Sequence, residues 1–129
     1  MMLTWQFNDE ERIVLLKFGE LALAADFVTY NIAMEADPAR RDFVHLIDLR
    51  ETDCEQSVFI DLVSPIEEML HRVIRSHHPK IAFLADNKSQ IQLTRFFTAV
   101  KDLMPESEAV NVYVSNDRSA ALAWLKHVR

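Results

Sequence analysis

At 129 residues, half of them hydrophobic and 26% charged, the chain has the size and balance of one folded domain, because two halves would each be too small to bury a good core. Its mean hydropathy of −0.04 excludes a disordered chain, and its uncharged apolar-rich stretches, such as Leu21–Ala25, are far short of a membrane span. A net charge of −6 argues against a nucleic-acid binder, which needs a basic face.

Leu3, Trp5 and Phe7 alternate with Thr4 and Gln6, which predicts a half-buried first strand. A polar turn, Asn8–Glu11, leads to a second strand at Arg12–Phe18; so short a connection predicts an antiparallel hairpin, since a parallel pair needs a crossover. Gly19, the sole glycine, is expected at a bend or at positive φ. Leu23, Phe27, Tyr30 and Met34 recur at helical spacing over Leu21–Glu35, and Asp37-Pro38 stops that helix. Phe43–Leu49 is the most apolar run of its length and is expected at the centre of the sheet. After the polar connection Arg50–Glu55, a long helix is predicted from about Gln56 to His77, with Val58, Leu62, Ile66, Leu70 and Ile74 on one stripe. Pro65 interrupts it; an interior proline costs roughly 3 kcal/mol and removes a hydrogen bond, so a kink or break is expected near Ser64. Lys80–Ala85 is a fourth strand, and Asp86-Asn87 caps a helix at Lys88–Leu103 that Pro105 ends. Val110–Val114 is a fifth strand, and Ser115-Asn116-Asp117 opens a last helix, Arg118–His127.

The order is thus β-β-α-β-α-β-α-β-α. Strands of Val, Ile and Leu that pass through Asp-bearing elbows into helices describe a layered α/β domain with a mixed, largely parallel sheet. The acidic excess lies in residues 1–53, with eleven acids against five Lys or Arg, and is read as a solubilising surface. The charged residues Asp9–Arg12 leave no room for a secretory h-region, and the single Cys54 cannot form an intrachain disulfide, so a cytoplasmic location is expected.

Few residues carry candidate chemistry. One glycine rules out a Walker loop or a dinucleotide fingerprint, and no cofactor is expected. His71, His77 and His78 lack the i, i+4 spacing of helical metal ligands, so no metal site is expected; they complement a helix C-terminus instead. His45, on the central strand, is expected to be a hydrogen-bonded core or edge histidine. Cys54 follows that strand at a helix start, where a thiol can become a nucleophile, but Asp53 and Glu55 flank it and oppose a thiolate. Asp48, Asp86 and Asp117 fall at strand C-terminal ends, where open α/β sheets bind ligands, and they are equally good turn and cap residues. Phe59, Phe83 and Phe97 are candidate walls of a pocket for a small apolar ligand, although such spacing normally builds core. Trp5 on an edge strand is a candidate for exposure and for homodimer formation.

Three segments together resemble the STAS-like superfamily, and in particular its SpoIIAA-like members, which border the lipid-binding Sec14 group. They are Phe18-Gly19-Glu20-Leu21 after the hairpin, His45-Leu46-Ile47-Asp48-Leu49-Arg50 on the central strand, and the ending Val112–Asp117 through Ala120–Leu125. The resemblance implies a single STAS-like domain over residues 1–129. It also implies a regulatory module without enzymatic activity that presents the helix after the central strand, about Gln56–Leu70, to a protein partner. In regulatory members a Ser or Thr at the start of that helix is phosphorylated by a partner kinase; the matching position is Ser57, with Asp53 beside it. The sequence departs from the family there, having Gln56-Ser57-Val58 where the family has Asp-Ser followed by Gly. Helix capping by Ser57 or Asp53 is the plainer reading. The Sec14 relationship implies the alternative of a small-molecule or lipid site between that helix and the sheet, and a hydrolase acting through Cys54 is a third.

Overall fold

The computed structural model describes residues 3–127. Within them the chain forms β1 (Thr4–Asn8), β2 (Ile13–Lys17), α1 (Ala24–Glu35), β3 (Val44–Asp48), α2 (Phe59–Ile74), β4 (Lys80–Leu84), α3 (Lys88–Asp102), β5 (Asn111–Ser115) and α4 (Arg118–Lys126). Short 3-10 turns at Pro38–Arg40, Cys54–Gln56 and Pro105–Ala109 fill the connections. Two of these begin at the prolines expected to stop helices, because proline suits a first helical position where no N–H is needed.

The sheet order is β1-β2-β3-β4-β5, antiparallel between β1 and β2 and parallel thereafter. Each parallel step moves the same way along the sheet, so right-handed crossovers lay α1, α2 and α3 on one face. The helix α4 folds onto the opposite face, against β3, β4 and β5. β3 is central, with Leu16, Ile47 and Phe83 in one cross-strand row beneath α1–α3. Their neighbours Leu15, Leu46 and Ala82 point the other way, and Leu46 and Ala82 pack with Ala121 and Leu125 of α4. Burial on both faces explains why β3 and β4 are predominantly apolar, and each fully buried Leu or Ile there contributes about 1.5–3 kcal/mol. Lys80, the one charged residue of β4, reaches the end of α4 and donates to the carbonyls of Trp124 and His127.

Several local expectations are corrected. Gly19 does not have positive φ; Arg12, at the end of the hairpin loop, does (φ 60°). Its carbonyl accepts from Val44 N–H and its guanidinium lies 5.2 Å from the Phe43 ring centre, contacts that hold a conformation costing roughly 1–2 kcal/mol. Trp5 is not an exposed residue of the edge strand: it turns inward and meets Tyr30 edge-on, ring centres 5.3 Å apart. α2 neither starts at Gln56 nor breaks at Ser64. It starts at Phe59 and runs unbroken through Pro65, because the one carbonyl deprived of its partner belongs to exposed Asp61, in the first turn. Val58, placed on the buried stripe by periodicity, is the N-cap and is 57% exposed.

Candidate functional site

Buried polar side chains knit the loops that leave the C-terminal ends of β2, β3 and β4. Thr52 Oγ1 donates to the Gly19 carbonyl (2.9 Å) and Asp53 N–H to the Glu20 carbonyl (2.7 Å), tying the second elbow to the first. Gln90 Nε2 donates to the Thr52 carbonyl (3.1 Å) while its Oε1 accepts from Asp86 N–H (2.8 Å), tying the third elbow to the second. An open groove of about 630 Å³ lies beside these ties, walled by Arg50, Asp53 and Glu55 on one side and by Asn87, Lys88 and Ser89 on the other.

The strand-end aspartates do not converge on a reactive centre. Asp48 accepts from both the backbone and the guanidinium of Arg50 (3.0–3.1 Å); burial raises its pKa, and the bonds to Arg50 outweigh that and hold it below the ordinary value. Asp117 caps α4 through Ser119 N–H, and Asn87, rather than exposed Asp86, caps α3 through Gln90 N–H. Among the described residues no three His, Cys, Asp or Glu side chains are grouped to hold a metal ion. Asp53 caps the 3-10 turn by accepting from Glu55 N–H, not α2. Ser57 closes that turn just before the N-cap; its hydroxyl is buried, caps nothing and has no hydrogen-bond partner among the described residues. Cys54 is 2% exposed, and burial together with the Asp53 charge pushes its pKa up to about 11, which keeps it a thiol at neutral pH. A nucleophile needs the opposite environment.

The three phenylalanines do not line one open cavity. Phe83 and Phe97 meet edge-on in the core, ring centres 5.1 Å apart, where only about 20 Å³ is left among Phe18, Ile47, Leu62 and Leu93. Phe59 packs on Phe96 instead. A lipid-sized guest needs several hundred Å³, so this space would have to be opened by displacing core side chains.

A second polar centre lies under the other ends of α1 and α2. His45, 4% exposed on β3, has its Nε2 2.8 Å from the Tyr30 hydroxyl. Arg72 of α2 lies over the Tyr30 ring, its guanidinium carbon 5.5 Å from the ring centre, and its Nη1 donates to Asn31 Oδ1 at 2.7 Å. Asn31 Nδ2 in turn donates to the Pro65 carbonyl at 2.9 Å. Burial, helped by the Arg72 charge, pushes the His45 pKa down to about 3, so the ring is neutral; burial also raises that of Tyr30, so the hydroxyl keeps its proton. A cavity of about 210 Å³ adjoins this chain of contacts. His45 thus is the hydrogen-bonded core histidine expected. Tyr30 was legible as core from its spacing, but Asn31 and Arg72 carried no signal, because an arginine at a helical position normally points to water.

No family model and no curated protein matches the chain. A crystal structure of an uncharacterised DUF3478-family protein from Shewanella loihica PV-4, described as having a SpoIIAA-like fold, superposes with a TM-score of 0.57 at 18% identity, over 95% of this chain and 91% of that one. The chain has a SpoIIAA-like fold. The connection from Asp53 to the start of α2 lies beside the groove at the C-terminal edge of the sheet. No helix among the described residues is long and apolar enough to cross a membrane.

Proposed function

We propose that the chain acts as a single STAS-like, non-enzymatic, cytoplasmic interaction module whose contact surface is the Asp53–Ile60 segment. One observation carries this reading. Val58 and Ile60, 57% and 74% exposed, stand in solvent at the start of α2, a helix whose other aliphatic side chains are buried or partly buried. Exposed aliphatic groups on a rigid, well-tied elbow suit a partner's apolar pocket. Asp53, Glu55 and Asp61 flank the pair along the chain, where no Lys or Arg falls between Arg50 and Arg72, so the partner is expected to carry a basic rim.

Site-specific photo-crosslinking in the native cell tests this. A photoreactive residue at position 60 should yield one protein adduct that is absent when the residue is placed at exposed Leu103, and Val58→Asp should suppress it. No adduct above the Leu103 control, or one indifferent to Val58→Asp, refutes the reading. Modification of Ser57 fits this surface only if the 3-10 turn opens, since the hydroxyl is buried. Homodimer formation, if it occurs, is assigned to the unpaired outer edge of β1 rather than to Trp5.

The second reading, a small-molecule site, gains support from the cavity beside His45 rather than from the phenylalanines.

A further inference from the structure

The cavity under the C-terminal ends of α1 and α2 has a built floor. His45 Nδ1 and Arg72 Nη2 are both buried and have no hydrogen-bond partner among the described residues. Leaving such a group unsatisfied costs about 1–3 kcal/mol, and more when it is charged, so two in one place call for an occupant. Both residues line the same cavity of about 210 Å³. Among the described residues the ring's hydrogen-bond partner is the Tyr30 hydroxyl, and with Tyr30 donating to Nε2 the free Nδ1 carries the proton. Two residues of the lining thus hold a buried N–H donor each, one of them cationic, which a guest meets after a small shift of the side chains.

The mouth agrees in sign. Arg41 and Arg75, both exposed, stand at the opening with Glu35, which pairs with Arg75 at 3.7 Å. Three arginines against one glutamate leave a formal charge of +2 in a chain of net charge −6. The ends of α1 and α2 oppose an anion through their dipoles, by roughly 0.3–1 kcal/mol each. Both helix ends turn their cap N–H groups back onto their own carbonyls, which blunts that opposition. Met34 and Val73 add apolar wall. The volume falls below the roughly 300–1,000 Å³ of a drug-sized site, so the guest is small.

We propose that this cavity binds a small organic carboxylate with a short apolar body, its carboxylate held by Arg72 Nη2 and His45 Nδ1. The Met34 and Val73 wall favours a ligand with an apolar body over a free tetrahedral oxyanion, which would set only polar oxygens against it. The proposal does not rest on the partner surface, which lies at the opposite end of α2.

Butyrate, the neutral butanamide and inorganic phosphate are the probes, titrated to millimolar concentration against the full chain while backbone amide shifts are followed by NMR. Butyrate should shift His45, Arg72 and Val73 saturably, with butanamide and phosphate at least about tenfold weaker. Arg72→Met should weaken butyrate roughly tenfold or more. Should that variant not fold, the exposed pair Arg41→Ala and Arg75→Ala decides, with an expected weakening of about two- to fivefold each and no change in fold. No saturable shift with butyrate, equal binding of butanamide, tighter binding of phosphate, or full affinity in a folded Arg72→Met protein or in the Arg41→Ala, Arg75→Ala protein would overturn the assignment.

Discussion

Replacing Asn31 with alanine should expose how much the fold depends on a buried arginine being answered. Asn31 is 3% exposed and makes two hydrogen bonds, accepting from Arg72 and donating to the Pro65 carbonyl, so it stitches α1 to two turns of α2. A bond to a charged group contributes about 1.5–3 kcal/mol and a neutral one about 0.5–1.5 kcal/mol. Asn31→Ala should therefore lower unfolding free energy by about 2–4 kcal/mol, with a fall in Tm on the order of 10 °C. Urea denaturation followed by circular dichroism measures this, and a double-mutant cycle with Arg72→Met isolates the pair. Once the guanidinium is gone, losing its partner matters less, so the double variant should be more stable than the sum of the single losses implies, by about 1–3 kcal/mol. Additivity within about 0.5 kcal/mol, or a loss below about 1 kcal/mol for Asn31→Ala, would refute the reasoning.

His45 predicts a pH dependence of stability. Its folded pKa is depressed to about 3, whereas the unfolded ring titrates near 6.5, so the unfolded chain binds the extra proton and stability is lost as pH falls below 6.5. The loss should reach about 2 kcal/mol by pH 5 and should vanish from the slope in His45→Gln; identical slopes in the two proteins would contradict the burial argument. Cys54 should resist thiol reagents in the native state at neutral pH and react only at the rate of opening, because it is buried and its pKa is pushed up to about 11. Labelling of native protein near the rate of a free thiol would show the elbow to be open.

Most of the architecture was legible because periodicity reports burial directly. The run around Ile47 is apolar apart from His45 and Asp48, and a strand covered on both faces uses such a run; it occupies the centre of the sheet. Val58 shows where that logic ends. Its spacing matches the buried stripe of α2, yet the helix begins after it, and the boundary was set by the 3-10 turn that Asp53 caps. Of the kink or break expected near Ser64, the break is absent for a related reason: a general penalty says nothing of which carbonyl loses its partner, and here that carbonyl is on an exposed residue.

The sequence by itself determined the α/β order, the central place of β3 and the kinship with a SpoIIAA-like fold, because each follows from local pattern. Only the tertiary structure decided that Phe59 leaves Phe83 and Phe97 for Phe96, and that Asn31, Arg72 and His45 meet beside one cavity. Those contacts join residues 14 to 41 positions apart on separate elements, and no local periodicity encodes which faces two helices and a strand turn toward one another.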